Sequence, residues 1–270
     1  MDNKDIIFGF IGTGNMGGAL ARAVRRRLDG GRILLSNRSP EKAKRLAEEL
    51  EARAADNNEI AERADYIILG VKPQLMEEVL RGIAPILALR KDRFFLVTMA
   101  AGMGIARIQE LAGGEYPIIR IMPNTPVSVG EGMVQYTCSQ AVTEEDCRIF
   151  LETFAAAGRF SAVSELQIDA GSAVSGCGPA FADIFLEALA DGGVACGLSR
   201  SQAMELAAQM MIGTARLALE SGQHPGALKD AVCSPGGATI QGVRKLEEAG
   251  FRGAVIDAVI ASYEKTLELK

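Results

Sequence analysis

The chain has 270 residues, of which 48% are hydrophobic and 23% charged, a composition typical of soluble globular proteins and unlike that of disordered or collagen-like chains. Its 29 Lys and Arg residues against 34 Asp and Glu residues give a net charge of −5, which lacks the basic character of nucleic-acid-binding proteins, so we expect no nucleic-acid partner. At about 150 residues per domain, this length predicts two domains.

The first residues do not resemble an export signal or a membrane anchor. Residues 1–5 carry charges of both signs, and the apolar stretch at 6–11 is interrupted by Gly9 and too short for a signal sequence or a membrane span. We therefore expect a cytoplasmic protein that has no membrane partner.

Cysteine and histidine usage argues against metal binding and against a disulfide framework. One histidine is present, His224, beside a proline and a glycine typical of a turn. The cysteines are odd in number and include no Cys-x-x-Cys pair, so we expect free thiols and no metal site. They are Cys138, Cys147, Cys177, Cys196 and Cys233.

The first half of the chain alternates short β-rich apolar runs with stretches of helical periodicity, which predicts an α/β fold with a parallel sheet. Strands are predicted at residues 6–11, 33–36, 66–71, 94–98 and 118–122. Helices are predicted between them at 16–28, 40–52, 74–87 and 105–112. Two more β-like runs, 133–136 and 160–163, flank a helix at 143–157. The pattern predicts a doubly wound domain of the Rossmann type over residues 1–163.

From Ser164 onward the chain is rich in Ala, Leu and Met at helical spacing and shows no clear strand, so residues 164–270 are predicted to form an all-helical domain. Ser164 with Gln167, and Ser199 with Gln202, are helix-starting capping boxes. The helix after Ser199 has an apolar stripe wider than one packed face requires. This width indicates a partner helix from another subunit, although a self-contained bundle is the alternative.

A dinucleotide fingerprint follows the first predicted strand and opens the next helix. Its glycines have separate roles: Gly12 allows a tight turn, Gly14 lets a pyrophosphate approach the backbone, and Gly17 permits close packing of helix on strand. The segment is Gly12, Thr13, Gly14, Asn15, Met16 and Gly17.

The second predicted strand ends without the acidic residue that binds the ribose hydroxyl of NAD. In its place stand Ser36, Asn37 and Arg38, which offer hydrogen bonds and a positive charge to a 2′-phosphate. We therefore expect NADPH as cofactor, with NADH as the second choice. Ser39 and Pro40 also fit a plain helix start, and the two interpretations are compatible.

Two further loops follow strands at the edge where open α/β sheets bind ligands, and we expect both to border the nicotinamide. One contains Val71 and Lys72, and the other contains Ala100, Ala101 and Gly102. Lys72 could act as a proton donor, but we assign it to cofactor lining only. The segment 120–126, with two prolines, forms a rigid loop beside the same crevice.

Two glycine-rich segments in the helical half, at 175–180 and 234–239, each run into a predicted helix. The second combines backbone N–H groups at a helix start with the hydroxyls of Ser234 and Thr239, a combination suited to a substrate carboxylate. A tight turn between helices is an equally good interpretation.

Taken in order, five segments resemble pyrroline-5-carboxylate reductases, and the resemblance spans nearly the whole chain. The glycine fingerprint is shared with many dehydrogenases, whereas the two glycine-rich segments of the helical half are more particular to this family. Cys177 and Ala238 depart from its commonest pattern, where serine and threonine are frequent. The segments are GFIGTGNMG (9–17), VKPQ (71–74), MPNTP (122–126), SGCGPA (175–180) and SPGGAT (234–239).

The resemblance implies an enzyme of proline biosynthesis that reduces the C=N bond of 1-pyrroline-5-carboxylate to L-proline with NAD(P)H, in a dimer or ring of dimers formed through the helical domains. It implies that Asn57 and the loop Val71, Lys72 and Pro73 line the cofactor. It also implies that the substrate is held by Ser234, Gly237, Ala238 and Thr239, with Thr239 nearest the ring nitrogen.

Two other functions remain open at the level of sequence. A β-hydroxyacid dehydrogenase also joins a Rossmann-type domain to helices, but it needs a lysine acid, and Lys229 is the one lysine between 164 and 240. A non-catalytic dinucleotide sensor would retain the fold without turnover. Hydride addition to an imine requires mainly positioning and a proton on nitrogen, which suits a chain with so few catalytic side chains.

Overall fold

The computed structural model describes residues 6–268, which form one sheet with helices on its faces, followed by helices alone. The strands are β1 (Phe8–Ile11), β2 (Ile33–Ser36), β3 (Arg53–Ala54), β4 (Tyr66–Leu69), β5 (Phe95–Thr98), β6 (Ile118–Met122), β7 (Gly132–Cys138) and β8 (Gly158–Ala162). The helices are α1 (Asn15–Arg25), α2 (Pro40–Leu50), α3 (Asn57–Arg63), α4 (Pro73–Leu89), α5 (Ile105–Ala112), α6 (Glu144–Phe154), α7 (Ile168–Ser175), α8 (Gly178–Ala195), α9 (Arg200–Ser221), α10 (Pro225–Ala231), α11 (Ala238–Glu248) and α12 (Phe251–Leu267).

The sheet has the order β3-β2-β1-β4-β5-β6-β7-β8, and the predicted doubly wound fold is confirmed. All neighbouring strands run parallel except β6 and β7, which pair antiparallel. Strands β1 to β3 form one half of the sheet and β4 to β8 the other, so the strand order reverses between the adjacent strands β1 and β4. In open α/β sheets this switch point lies where a crevice forms beyond the carboxyl ends of the strands.

Alternation along the strands sends apolar side chains to both faces of the sheet, so each face has its own core. Phe8 and Phe10 of β1 pack on one face with α1 and α6, whereas Ile11 packs on the other face with α4 and α5. The Tyr66 ring is stacked between Phe8 and Phe95, with ring centroids 4.8 and 4.5 Å away. These buried aromatic rings fix the centre of the sheet.

Several predicted elements have the bounds that the sequence indicated, among them β2, β6 and α5. The sequence analysis missed β3 and α3, which lie between the second and third predicted strands. β3 has two exposed residues and therefore no apolar run to indicate it. α3 begins because the side chain of Asp56 accepts a hydrogen bond from the Glu59 N–H at 2.8 Å.

The described chain divides into two compact units, the first extending to Gly176 and including the end of α12 from Tyr263, and the second comprising Cys177–Ser262. The boundary predicted from sequence lies after residue 163, directly after β8. The first unit extends further because buried side chains of the sheet bind α7. Arg120 pairs with Asp169 at 3.1 Å, and Gln135 donates to the Ser175 hydroxyl at 2.7 Å.

The helices of the second unit leave many large apolar side chains uncovered. Only Ala203 and Ala207 are buried among the 22 residues of α9, whereas Ile212 is 61% exposed. Residues Glu165–Ala195 are long and apolar enough to cross a membrane by length and composition, and 11% of the window tested is buried. That segment is divided in the structure, since α7 ends at Ser175 and α8 begins at Gly178. The wide apolar stripe expected on α9 is present, and its large side chains are exposed within residues 6–268.

The start of α6 is held by a reciprocal cap that also ties it to the loop before β5. The Asp146 N–H donates to the Thr143 hydroxyl, while the Asp146 carboxylate accepts from the Thr143 N–H at 2.9 Å and from Arg93 at 2.6 Å. Burial opposes the charged carboxylate, but the hydrogen bonds from Arg93 and Thr143 outweigh it and hold the pKa of Asp146 below its ordinary value of 3.8. The carboxylate therefore stabilises the fold above that pH, and the contribution is lost as the pH falls below it.

Replacing Asp146 with Asn should lower the melting temperature at pH 7 by about 2–4 °C, because losing a helix cap costs about 1 kcal/mol. The difference from the parent should shrink below pH 3.8, where the parent carboxyl itself becomes protonated. Glu144→Gln, in the exposed first turn of the same helix, is the matched control and should change melting by less than half as much. Equal effects of the two substitutions, or a difference that does not depend on pH, would contradict this account.

Candidate functional site

The turn between β1 and α1 is held by close backbone contacts that only glycine permits. Gly12 has φ +97°, and a Cβ there would lie 2.7 Å from the carbonyl of Gly70, the residue after β4. A Cβ on Gly17 would lie 2.1 Å from the Gly12 carbonyl oxygen. The first and third glycines of the fingerprint therefore have the packing roles expected of them.

Gly14 has the opposite environment, since nothing lies within 4 Å of a Cβ built on it. It stands at the N-cap of α1 without a side-chain cap, and the first turn of the helix carries no acidic residue. The free N–H groups and the positive end of the helix dipole therefore face open space. This space suits the pyrophosphate of a dinucleotide, so the residues present fit the expected cofactor.

A cavity of about 510 Å³ adjoins this helix start and contains residues from three of the predicted cofactor segments. Gly12 and Gly14 line it together with Asn37, Arg38 and Asn57, and Val71 and Lys72 line its other side. The structure thus brings together residues that are 60 positions apart in the sequence. Gln74, the last residue of the segment VKPQ expected at the cofactor, also lines this cavity. Four further lining residues were not predicted: Gly70, Leu75, Glu78 and Val79.

A second cavity, of about 670 Å³, lies beyond the end of β2 and is lined by Ser36, Asn37, Arg38 and Asn57. The Ser36 hydroxyl donates to the Asn57 side-chain oxygen at 2.5 Å, which joins β2 to the start of α3. Lys44 lines the same cavity from α2 and adds a positive charge that the sequence analysis did not assign.

Two acidic residues line that second cavity as well, and both are already engaged. Asp56 caps α3. Glu59 forms ion pairs with Arg53 at 2.5 Å and with Arg63 at 2.8 Å. Lys44 is likewise paired, with Glu41 at 3.0 Å. Arg38 is therefore the cation in this lining for which residues 6–268 show no ion pair.

A third cavity, of about 540 Å³, lies on the other side of α1 and is lined by Gly14, Asn15, Met16, Val71 and Lys72. Met99 and Met122, at the carboxyl ends of β5 and β6, line it too, together with Gly70 and Pro123. Of these, the sequence analysis placed 120–126 beside the crevice as a rigid loop but did not single out the two methionines. Their position one residue after a strand, or at its last residue, is the signal that could have identified them.

Six predicted cofactor residues do not line these three cavities. Thr13 is buried, and its hydroxyl has no hydrogen-bond partner within the described chain. Gly17 is a buried residue within α1, and Pro73 is the first residue of α4. Ala100 is buried, whereas Ala101 and Gly102 are half-buried in the loop after β5.

In the second unit, residues 234–237 form a turn that starts α11. The Gly237 N–H donates to the Ser234 carbonyl at 3.0 Å, and Gly236 has φ +71°, so the turn needs glycine at that position. A Cβ on Gly237 would lie 2.3 Å from the Ser234 hydroxyl oxygen. That hydroxyl therefore lies beside the start of α11, whose N-cap, Gly237, offers no side-chain cap.

Ala238 and Thr239 occupy the exposed first turn of α11. A carboxylate is well matched by this arrangement of free N–H groups and hydroxyls at the start of an 11-residue helix. Lys229, on the preceding short helix, is paired with Asp230 at 2.7 Å. That hydrogen bond raises the pKa of Lys229, which makes it a poorer proton donor.

Comparison with known proteins gives two family matches. Residues 165–269 match a family described as pyrroline-5-carboxylate reductase dimerisation. Residues 7–102 match a family described as NADP oxidoreductase, coenzyme F420-dependent. The first match covers the helical half, and the second covers β1 to β5 with the glycine fingerprint.

Full-length relatives agree with these matches. The pyrroline-5-carboxylate reductase of Escherichia coli is 42% identical over 264 residues, which is 97% of each chain. The crystal structure of the Plasmodium falciparum pyrroline carboxylate reductase with NADP bound matches with TM-score 0.87 at 32% identity over 98% of each chain. The reductase of Coxiella burnetii matches with TM-score 0.89 at 32% identity, over 98% of this chain and 99% of that one. By sequence and by structure, this chain belongs to the pyrroline-5-carboxylate reductase family.

Proposed function

We propose that the chain reduces the C=N bond of 1-pyrroline-5-carboxylate to L-proline, with NADPH held along the crevice from Arg38 to Met122 and the substrate carboxylate held at 234–239. The observation that carries this proposal is the open space in front of Gly14, which lies between two tightly packed glycines at a helix start. Arg38 and Lys44, in the cavity beyond β2, favour the 2′-phosphate and hence NADPH over NADH.

When bound, NADPH would supply the hydride that is added to the imine carbon, C2 of the pyrroline ring, which becomes C5 of proline. The residues of the chain then have to position the substrate and supply a proton to the ring nitrogen. The N–H groups of α11 with the Ser234 hydroxyl hold the carboxylate, and Gly237 and Ala238 provide the backbone at that point. The Thr239 hydroxyl hydrogen-bonds the ring nitrogen and stabilises the N–H that forms, directly or through water.

Residues 164–270 serve in this proposal as the domain that binds substrate and forms the oligomer, and residues 1–163 as the domain that binds the cofactor. The match of 165–269 to a dimerisation family supports a homodimer formed through the helices, as does the uncovered apolar surface of α9. We extend this to a ring of dimers in the cytoplasm, in which the apolar segment Glu165–Ala195 packs against protein rather than lipid.

The two alternative functions are less well supported. A β-hydroxyacid dehydrogenase needs a lysine acid, and the hydrogen bond from Lys229 to Asp230 raises the pKa of Lys229, which makes it a less effective proton donor. A non-catalytic sensor would not require the turn at 234–239 to present a carboxylate site. The curated relatives of full length carry the reductase name.

The direct test is oxidation of NADPH by the purified protein on addition of 1-pyrroline-5-carboxylate, with NADH in a parallel reaction and proline measured as product. We expect proline to form with both cofactors and faster with NADPH. Cofactor binding without proline formation would favour the sensor, and turnover with a β-hydroxyacid alone would favour the dehydrogenase.

Gly14→Ala should weaken NADPH binding by about tenfold or more, because the added methyl group occupies the space that the pyrophosphate needs. Melting should change by only a few degrees, since nothing lies within 4 Å of the new Cβ. Gly82→Ala, which also meets nothing within 4 Å, is the control and should bind NADPH as the parent does. Gly17→Ala should instead destabilise the fold. An unchanged NADPH affinity in Gly14→Ala would remove this segment from the cofactor site.

Arg38→Ala should weaken NADPH binding by about tenfold and change NADH binding by less than about twofold, because the guanidinium would contact a phosphate that NADH lacks. Arg45→Ala, on the same helix as Lys44 but outside the lining of the cavity, is the matched control. Titrating each variant with both cofactors measures the ratio of the NADPH and NADH dissociation constants. Equal weakening of both cofactors would show that Arg38 does not recognise the 2′-phosphate.

Thr239→Ala should lower kcat/KM for the imine by about tenfold or more, if its hydroxyl contact strengthens in the transition state. NADPH affinity should stay at the parent value. Thr239→Ser, which keeps the hydroxyl, should recover most of the activity. A parent-like kcat/KM in the alanine variant would exclude Thr239 from the mechanism.

A further inference from the structure

Helix α5 begins at the cofactor side of the sheet without a side-chain cap of its own. Its N-cap residue is Gly104, and its first turn carries no acidic residue. The cap comes instead from a distant part of the chain, because the Ile105 N–H donates to the Glu165 carboxylate at 2.6 Å. A carboxylate at this point also complements the positive end of the helix dipole.

Glu165 is itself held by a buried charge. Arg120 of β6, with a side chain 3% exposed, approaches the same Glu165 oxygen at 3.5 Å and pairs with Asp169 at 3.1 Å. A Cβ on Gly104 would lie 3.0 Å from that oxygen, so the backbone passes close to the carboxylate. The start of α5 and one strand, β6, thus contact the same acidic side chain, and α7 is joined to them through the Arg120 to Asp169 pair.

The segment that Glu165 fixes, residues 99–104, leads from β5 to α5. Met99 at its start lines the third cavity together with Met122, which lies two residues beyond Arg120 on the same face of β6. Gly102, midway along the loop, has φ +74°, a left-handed conformation that favours glycine. The far end of the loop is held by the Ile105 to Glu165 hydrogen bond.

We propose that Glu165 is a positioning residue for the nicotinamide cofactor, acting by capping α5 and pairing with Arg120 so that the loop 99–104 keeps Met99 in the lining of the third cavity. The proposal rests on the proposed cofactor site. It assigns Glu165 no contact with the reacting atoms. A purely structural ion pair would alter melting without altering cofactor affinity.

The experiment compares Glu165→Ala and Glu165→Gln with Glu110→Ala. Glutamine keeps the oxygen that accepts the Ile105 N–H but removes the charge. Glu110 is exposed on α5 and pairs with Arg107 at 2.7 Å, so its removal changes the net charge equally without touching the cap. NADPH affinity is measured by the change in its fluorescence, and amide exchange at the start of α5 is measured without cofactor.

Loss of the cap in Glu165→Ala should raise the NADPH dissociation constant about fivefold and accelerate exchange of the Ile105 amide, because a capping bond has been removed. In the reductase assay KM for NADPH should rise while kcat changes by less than about twofold. Glu165→Gln should retain slow exchange at Ile105 and recover at least half of the lost affinity. Glu110→Ala should match the parent in both measurements.

An NADPH affinity within twofold of the parent in Glu165→Ala would overturn the proposal, as would unchanged exchange at Ile105. Equal loss of affinity in the alanine and glutamine variants would overturn the capping role. Failure of the proposed cofactor site would look different, because the parent itself would then not bind NADPH, whereas the exchange measurement does not depend on the cofactor.

Discussion

Three closely packed glycines at the carboxyl edge of the sheet determine where α1 starts relative to the central strands β1 and β4. Gly12 follows β1, Gly70 follows β4, and Gly17 lies in the first turn of α1. A Cβ on any of the three would fall 2.1 to 2.7 Å from a neighbouring backbone atom. Side chains there would separate the two central strands or lift the helix off the sheet. Because they are absent, α1 starts at the point where the strand order reverses, and its N-terminus faces the crevice rather than the core.

A second constraint is polar and lies between β6, β7 and α7. Asn124 donates to the Ser175 carbonyl at 2.9 Å and accepts from the Met133 N–H at 2.9 Å, while Gln135 donates to the Ser175 hydroxyl. Together with the Arg120 to Asp169 pair, these bonds hold both ends of α7. Directional bonds of this kind select one position for a helix that apolar packing alone would leave free to slide. The network is not complete within residues 6–268, since Arg120 Nε and Gln135 Oε1 are buried without a hydrogen-bond partner there.

The division between what sequence predicted and what it missed follows the range of the interactions. Local rules give β2, β6 and α5 their bounds, and the glycine fingerprint indicated its site because its conformation depends on neighbouring residues. The fingerprint also predicts that Gly17 is tightly packed and that Gly14 faces open space. The contacts of the two residues agree with this prediction. Roles that depend on the fold were not accessible in the same way. Lys44 faces the cavity beyond β2 because α2 lies there.

The cap of α5 is the clearest case of a non-local cause. The sequence before Ile105 contains no capping side chain, so local rules predict where α5 starts but leave the cap of its first N–H groups unexplained. The acceptor lies 60 residues later, in a segment whose capping box suggested only the start of another helix. Likewise, the extension of the first unit to Gly176 follows from buried side chains on β6 and β7, and no change of periodicity near residue 176 would have indicated it.

In the helical half the sequence pattern indicated a wide apolar stripe, but a single chain does not bury it. Helix α9 carries apolar residues on more than one side, and three of them are 60–70% exposed: Leu206, Ile212 and Leu219. Exposure on this scale is costly in water, and the match of residues 165–269 to a dimerisation family supports the burial of these side chains in an oligomer. The turn at 234–239 belongs to the same unit. Under the proposed function, the substrate would bind to helices that another subunit stabilises, which would link activity to assembly.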